Sequence, residues 1–192
     1  MAYNIFIIDG ILNGCGEGRM IGDDVINHEV DKELYDAYSE NSDKYIWDGL
    51  QVVENPNYEE EQAAKEKARI QELSMTRSDF FDGTIRAWGL GQNELLVLIQ
   101  NLLETLPIDN VMKLIAINNF QNALNFYRKH ELFIMLVGVP IKLGDNKMLI
   151  ITEECLDKFF DEVDKGNKAT AWQYLPLPVL IEVETDENRA AE

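Results

Sequence analysis

The sequence predicts an α+β protein: a small β-hairpin head, a linker helix, then a mainly α-helical bundle with an added β-hairpin. Three observations carry this expectation. Asp9-Gly10 and Asp48-Gly49 each sit between short β-branched or aromatic runs, the strongest short-range hairpin signal. Tyr58 to Leu73 is rich in Glu, Ala, Lys and Gln, all strong helix formers. From Thr76 onward the apolar residues recur at helical spacing until Pro140, where strand-like patterning returns.

In chain order, Tyr3 to Ile8, Asp9-Gly10 and Ile11-Leu12 read as a first hairpin. The glycine-dense stretch Asn13 to Gly18 lacks the Lys-Ser or Lys-Thr of a phosphate loop and opens no periodic helix. It is expected to be a flexible loop or a bulged strand. Asp31 caps a short helix carrying Leu34, Tyr35 and Tyr38 on one side, and Asn41 to Asp43 ends it. Tyr45 to Trp47 and Leu50 to Val53 form a second hairpin around Asp48-Gly49, closing a head over residues 1–55. A unit of that size is near the lower limit for standing alone.

Asn55-Pro56-Asn57 breaks the chain before the charged linker helix, assigned with its exit to residues 56–75. Glu61 to Lys65 is a favourable helical pair, and with few apolar positions the helix is either mostly solvated or forms a thin seam with copies of itself. Thr76-x-x-Asp79 has the form of a capping box. It starts a helix whose expected buried stripe is Phe80, Phe81, Thr84, Ile85 and Trp88, stopped by Gly89-Leu90-Gly91. Glu94 to Leu106 follows with a wide apolar face. Asp109 is expected to cap a long central core helix, Val111 to about Arg128, continuing or kinking into Leu132 to Val137 and completing a helical core over 76–138. Asn118, Asn119, Asn122 and Asn125 would supply its polar side.

Residues 139–184 read as a third hairpin around Gly144-Asp145-Asn146, a helix capped by Thr152 over Glu153 to Val163, and an edge strand over Val179 to Val183. Residues 185–192 read as a disordered acidic tail.

The balance of 35 acidic against 17 basic residues, a net charge of -18, repels nucleic acid and anionic membrane surfaces. The amino terminus lacks a basic leader and no apolar run approaches the ~20 residues that span a bilayer, so a soluble chain without an export signal is expected. Cys15 and Cys155 suggest no disulfide framework. Neither His28 nor His130 has ligands at a metal spacing, and His130 is read as a structural histidine near a helix end. No nucleophile elbow, zinc-protease or Walker pattern occurs, and no carboxylate pair stands out as acid and base. The expectation is no catalytic, metal or cofactor site. The residues singled out for binding a partner are Tyr58 and Arg69 on the charged helix and Trp172, Tyr174 and Leu177 in the aromatic, proline-punctuated segment.

Tyr45-Ile46-Trp47-Asp48-Gly49, Glu54-Asn55-Pro56-Asn57-Tyr58-Glu59, Lys65-Glu66-Lys67-Ala68-Arg69-Ile70 and Leu73-Ser74-Met75-Thr76-Arg77 stand in that order. With Asn125-Phe126-Tyr127-Arg128 they resemble small proteins encoded in the tail and baseplate region of tailed phages and prophages of Gram-positive bacteria. The resemblance covers roughly residues 40–130, and the segment after Pro140 departs from it. It implies a non-enzymatic virion structural protein that contacts other tail or baseplate proteins, with homo-oligomerisation also open, and that passes through the host cytoplasm during assembly. The alternative is a tail or tail-fibre assembly chaperone absent from the mature particle. No catalytic residues come with the family.

Overall fold

The computed structural model describes residues 2–143 and 147–180, and it is an α+β protein in which a small β-rich head precedes a mainly helical region with an added hairpin. The chain divides into two compact units, Met1–Glu66 and Lys67–Glu192.

In the first unit, β1 (Tyr3–Ile8) and β2 (Ile11–Glu17) form the first hairpin, and β3 (Val25–Val30) pairs along the other edge of β1. Asp9 and Gly10 both have positive φ, 51° and 76°, as a type I′ turn requires. The glycine-dense stretch resolves as strand, with a register irregularity at Phe6/Ile7. Phe6 explains one glycine: a Cβ on Gly16 would lie 3.0 Å from its ring. The strand β3 was not among the expected elements; its apolar residues do not alternate cleanly, because an edge strand need bury only part of one face.

Helix α1 (Lys32–Glu40) starts where Asp31 accepts a hydrogen bond from the Leu34 amide at 2.8 Å. After a 3₁₀ turn at Ser42–Lys44 come β4 (Tyr45–Trp47) and β5 (Val52–Glu54). Their loop spans Asp48 to Gln51 rather than the two-residue turn expected, because the Asp48 carboxylate accepts from the amides of Leu50 and Gln51, both at 2.8 Å. Those bonds hold its pKa below the usual carboxylate value. Ile5, Tyr38 and Val52 form this unit's core.

Helix α2 (Tyr58–Gln71) runs through the unit boundary and buries no residue fully. Lys65 pairs with Asp43 at 3.0 Å and the Glu61 carboxylate accepts from Asn55, in place of the expected Glu61 to Lys65 partnership.

The second unit begins with the last turn and a half of α2, followed by β6 (Ser74–Thr76) and α3 (Arg77–Trp88). Thr76 caps α3 by accepting from the Asp79 amide, but the Asp79 carboxylate accepts a hydrogen bond from the Thr76 hydroxyl at 2.8 Å instead of reaching back to the Thr76 amide. The reciprocal half of the capping box is therefore missing. The buried face of α3 is Phe80, Phe81, Gly83, Thr84 and Ala87, and Ile85, expected inside, is exposed. Gly89 ends α3 with φ 69°.

Helix α4 (Gln92–Thr105) buries Leu95, Ile99 and Leu103. The largest departure follows. Helix α5 (Asn110–Asn122) stops well short of Arg128 and buries only Phe120, so the expected long central core helix does not exist. Arg77 explains the stop: its guanidinium donates to the carbonyls of Phe120 and Ala123 at 3.1 and 3.0 Å, satisfying acceptors a longer helix would have used. The chain then enters β7 (Asn125–Tyr127), paired with β6 in the register Met75 to Phe126. Helix α6 (Glu131–Leu136) is separate, and His130 caps its start, Nδ1 accepting from the Leu132 amide at 3.2 Å. That histidine therefore opens a short helix instead of closing a long one.

Strands β8 (Pro140–Lys142) and β9 (Lys147–Ile150) form the added hairpin, whose Gly144-Asp145-Asn146 connection lies outside the described residues. Helix α7 (Glu153–Asp164) buries Leu156, Phe159, Phe160 and Val163. A 3₁₀ turn at Ala171–Tyr174 and β10 (Val179–Leu180), paired on β9, complete the described chain. The edge-strand residues 181–183 and the acidic tail 185–192 lie outside it.

Phe126 sits among the rings of Phe80, Phe81, Phe120 and Phe133 at centroid distances of 4.5 to 6.1 Å. Gly83 lets α3 approach α7: a Cβ there would fall 2.5 Å from Cζ of the buried Phe159 ring. Gly83→Ala is expected to destabilise the chain by about 1–3 kcal/mol through overpacking, despite the better helix propensity of alanine. Urea denaturation reads this, and an unchanged or raised midpoint would contradict the packing.

Candidate interaction surface

The residues expected to meet a partner are placed very differently from one another. The Tyr58 hydroxyl accepts from Asn41 Nδ2 at 2.7 Å. Arg69 reaches Asp161 and Asp164 on α7. Trp172 is half-buried against the core and donates its indole N–H to the Ala169 carbonyl at 3.2 Å. Tyr174 and Leu177 are exposed. Between them Leu175 is buried, and Trp88 Nε1 donates to the Pro176 carbonyl at 2.8 Å, tying this segment down. Three of the five therefore already have intramolecular partners, and two present side chains to solvent.

The last turns of α2 are fastened to α7 by charge. Lys67 faces Glu153 at 3.7 Å, Arg69 meets the two aspartates, and Gln71 donates to Asp157. Asp161 and Asp164 lie in the last turn of α7, where the helix dipole disfavours anions, and Arg69 and Lys165 offset that. Burial raises the Asp161 carboxyl, but hydrogen bonds from Lys165 and Arg69 outweigh it and hold the group below the usual range. Asp79 is held low in the same way by Lys168 and Thr76.

Arg128 is the largest fully buried side chain, its Nε donating to Asp157 at 2.6 Å and its Nη2 to the Glu153 carbonyl at 3.4 Å. Breaking such a pair by removing one partner costs about 3–5 kcal/mol, because the survivor is left charged and desolvated. This arrangement is structural: Arg128 exposes no surface to a ligand.

Among the described residues the chemistry-bearing groups lie apart from one another. Among the described residues no group of three or more His, Cys, Asp or Glu side chains comes together to hold a metal. Cys15 and Cys155 are free thiols. His28 stacks edge-on with Trp47 at 5.0 Å. A cleft of about 470 Å³ in the first unit is lined by Leu12, Tyr38, Asp43, Tyr45 and Trp47, and Lys65 occupies its one carboxylate. No described helix is long and apolar enough to cross a membrane.

What stands out instead is α5. Val111, Met112, Leu114 and Ile115 are 65, 45, 66 and 47% exposed. Val111, Leu114 and Ile115 stand at i, i+3 and i+4, one continuous apolar stripe facing away from the core, and Asn118 follows at i+7. The opposite side, with Ala116, Ile117 and Phe120, packs inward. Sequence reasoning missed this surface because a helix apolar all round reads as buried. The readable signal was the surplus: Val111, Met112, Leu114 and Ile115 add to the apolar residues of the inward face and exceed what one buried stripe needs.

Comparison with protein-family models, curated proteins and solved structures finds no match to this chain.

Because the native Asp161 carboxyl titrates below its unfolded value, its contribution to stability is present above pH about 4 and lost as pH falls through the native value. Asp161→Asn is expected to cost about 1 kcal/mol at neutral pH and progressively less below pH about 4. Urea titrations of both proteins across pH measure it, and a difference that persists undiminished in acid would refute the assignment.

Proposed function

We propose that this chain is a non-enzymatic structural component of a phage tail or baseplate, acting through protein-protein contacts in the virion. The observation that carries the reading is the outward apolar stripe of α5. The exposed half of each of these aliphatic side chains forgoes on the order of 1 kcal/mol that burial would return, and three together on one helix face give a contiguous apolar surface for a partner to cover. The ordered resemblance over roughly residues 40–130 to tail-region proteins supplies the assembly. The two compact units support a component that meets different neighbours with each.

The acidic surface fits a second role in the same assembly: a chaperone that covers a sticky tail or fibre protein and leaves before maturity. Quantitative mass spectrometry of density-purified particles separates the two. A fixed, nonzero copy number relative to the major tail proteins is expected. Abundance in the lysate with absence from particles would overturn the virion role and favour the chaperone.

A further inference from the structure

We propose that the cleft of the first unit binds a neutral saccharide, through groups that owe nothing to the reading of α5. Four elements meet around it. The β1–β2 turn brings Ile11 and Leu12, the end of α1 brings Tyr38, the 3₁₀ turn brings Asp43, and β4 brings Tyr45 and Trp47. Its volume of about 470 Å³ lies within the ~300–1,000 Å³ of small-molecule sites.

Tyr38 carries the argument. The residue is only 3% exposed, yet among the described residues nothing hydrogen-bonds to its hydroxyl. Buried polar groups are ordinarily paired. Among the described residues no side-chain polar atom sealed from solvent lacks a partner, so this hydroxyl touches water, and the cleft is the solvent-filled space that Tyr38 lines. Burial, followed by the neighbouring Cys15 and Asp43, pushes the phenol above its ordinary pKa, which keeps it a hydrogen-bond donor at neutral pH. The Trp47 indole N–H is likewise without a partner among the described residues, while its ring is braced edge-on by His28 at 5.0 Å. Tyr45 lies against Tyr38, with ring centroids 6.0 Å apart.

These groups select the class of ligand. An aliphatic side chain would strip water from the Tyr38 hydroxyl and the Trp47 N–H and return no hydrogen bond. An anion would meet Asp43 in a chain of net charge -18. A cation would find that carboxylate already held by Lys65 at 3.0 Å. A neutral pyranose answers each feature: its C–H face lies on the aromatic rings, and its hydroxyls accept from Tyr38 and Trp47. Others donate to Asp43, whose carboxylate keeps acceptor sites that Lys65 does not fill.

Saturation-transfer NMR of the full chain tests this, with the methyl glycosides of glucose, galactose, mannose, rhamnose and N-acetylglucosamine each offered at millimolar concentration. N-acetylleucinamide is offered alongside as the competing class. At least one glycoside is expected to receive saturation on its ring protons. Tyr38→Phe should weaken that glycoside about tenfold while leaving the urea midpoint at the parent's value, since the atom removed has no internal partner. Leu50→Ser, an exposed change on the β4–β5 loop outside the cleft lining, should bind as the parent does. Failure of all five glycosides to bind overturns the proposal, and binding of N-acetylleucinamide alone makes the cleft a peptide site instead. A Tyr38→Phe protein that binds like the parent, or whose urea midpoint falls, also overturns it. The copy number in particles bears on the virion role alone, so either reading can fail without the other.

Discussion

Three residues of backbone pairing, Ser74–Thr76 against Asn125–Tyr127, set the register on which the aromatic core of the second unit depends. The pairing places Phe126 at the centre of the aromatic cluster. In the same stroke it carries Arg128 into the interior, where the Arg128 amide donates to the Leu73 carbonyl at 2.9 Å and its guanidinium finds Asp157. It also brings Arg77 against the end of α5, where the amide of Arg77 donates to the Leu124 carbonyl and its guanidinium closes the helix. A core of phenylalanines is non-directional; the short ladder and the two arginines give it a register. A slip of one residue would turn both Phe126 and Arg128 to the other face, emptying the centre of the aromatic cluster and separating Arg128 from Asp157.

That constraint also creates the exposed surface. Had the helix run on to Arg128, its broad apolar belt could have filled a bundle core. Ending it at Asn122 hands the central position to Phe126 and leaves α5 lying on the outside with only Phe120 fully buried. The leftover stripe is then a cost to the isolated chain, offset only when another surface covers it. An acidic exterior keeps such a protein dispersed until that surface is met.

Local signals in the sequence translated well into local structure. Asp9-Gly10 specified its turn, Asp31, Thr76, Asp109 and Thr152 each capped the helix they precede, and Gly89 ended α3 with a left-handed residue. What was not legible depends on partners far away in the chain. The end of α5 is written at Arg77, not at residues 120–125. Asn125–Tyr127 becomes a strand because Ser74–Thr76 is there to pair with it, and His130 opens α6 because the helix had already stopped. Arg128 was expected only as the approximate end of a long helix, and its burial depends on Asp157, 29 positions on. The candidate surface suffered from the same blindness: Tyr174 and Leu177 were recognised from composition, whereas the α5 stripe is visible only once the helix boundary is known.

The central claim is that the outer face of α5 is covered when this protein works. Covalent footprinting with a photogenerated carbene, comparing the dilute purified chain with the chain in assembled particles or its native lysate complex, addresses it most directly. Labelling at Val111, Met112, Leu114 and Ile115 is expected to fall sharply on assembly while that at exposed Ile85 on α3 is retained. Equal labelling of the stripe in both states would contradict the account.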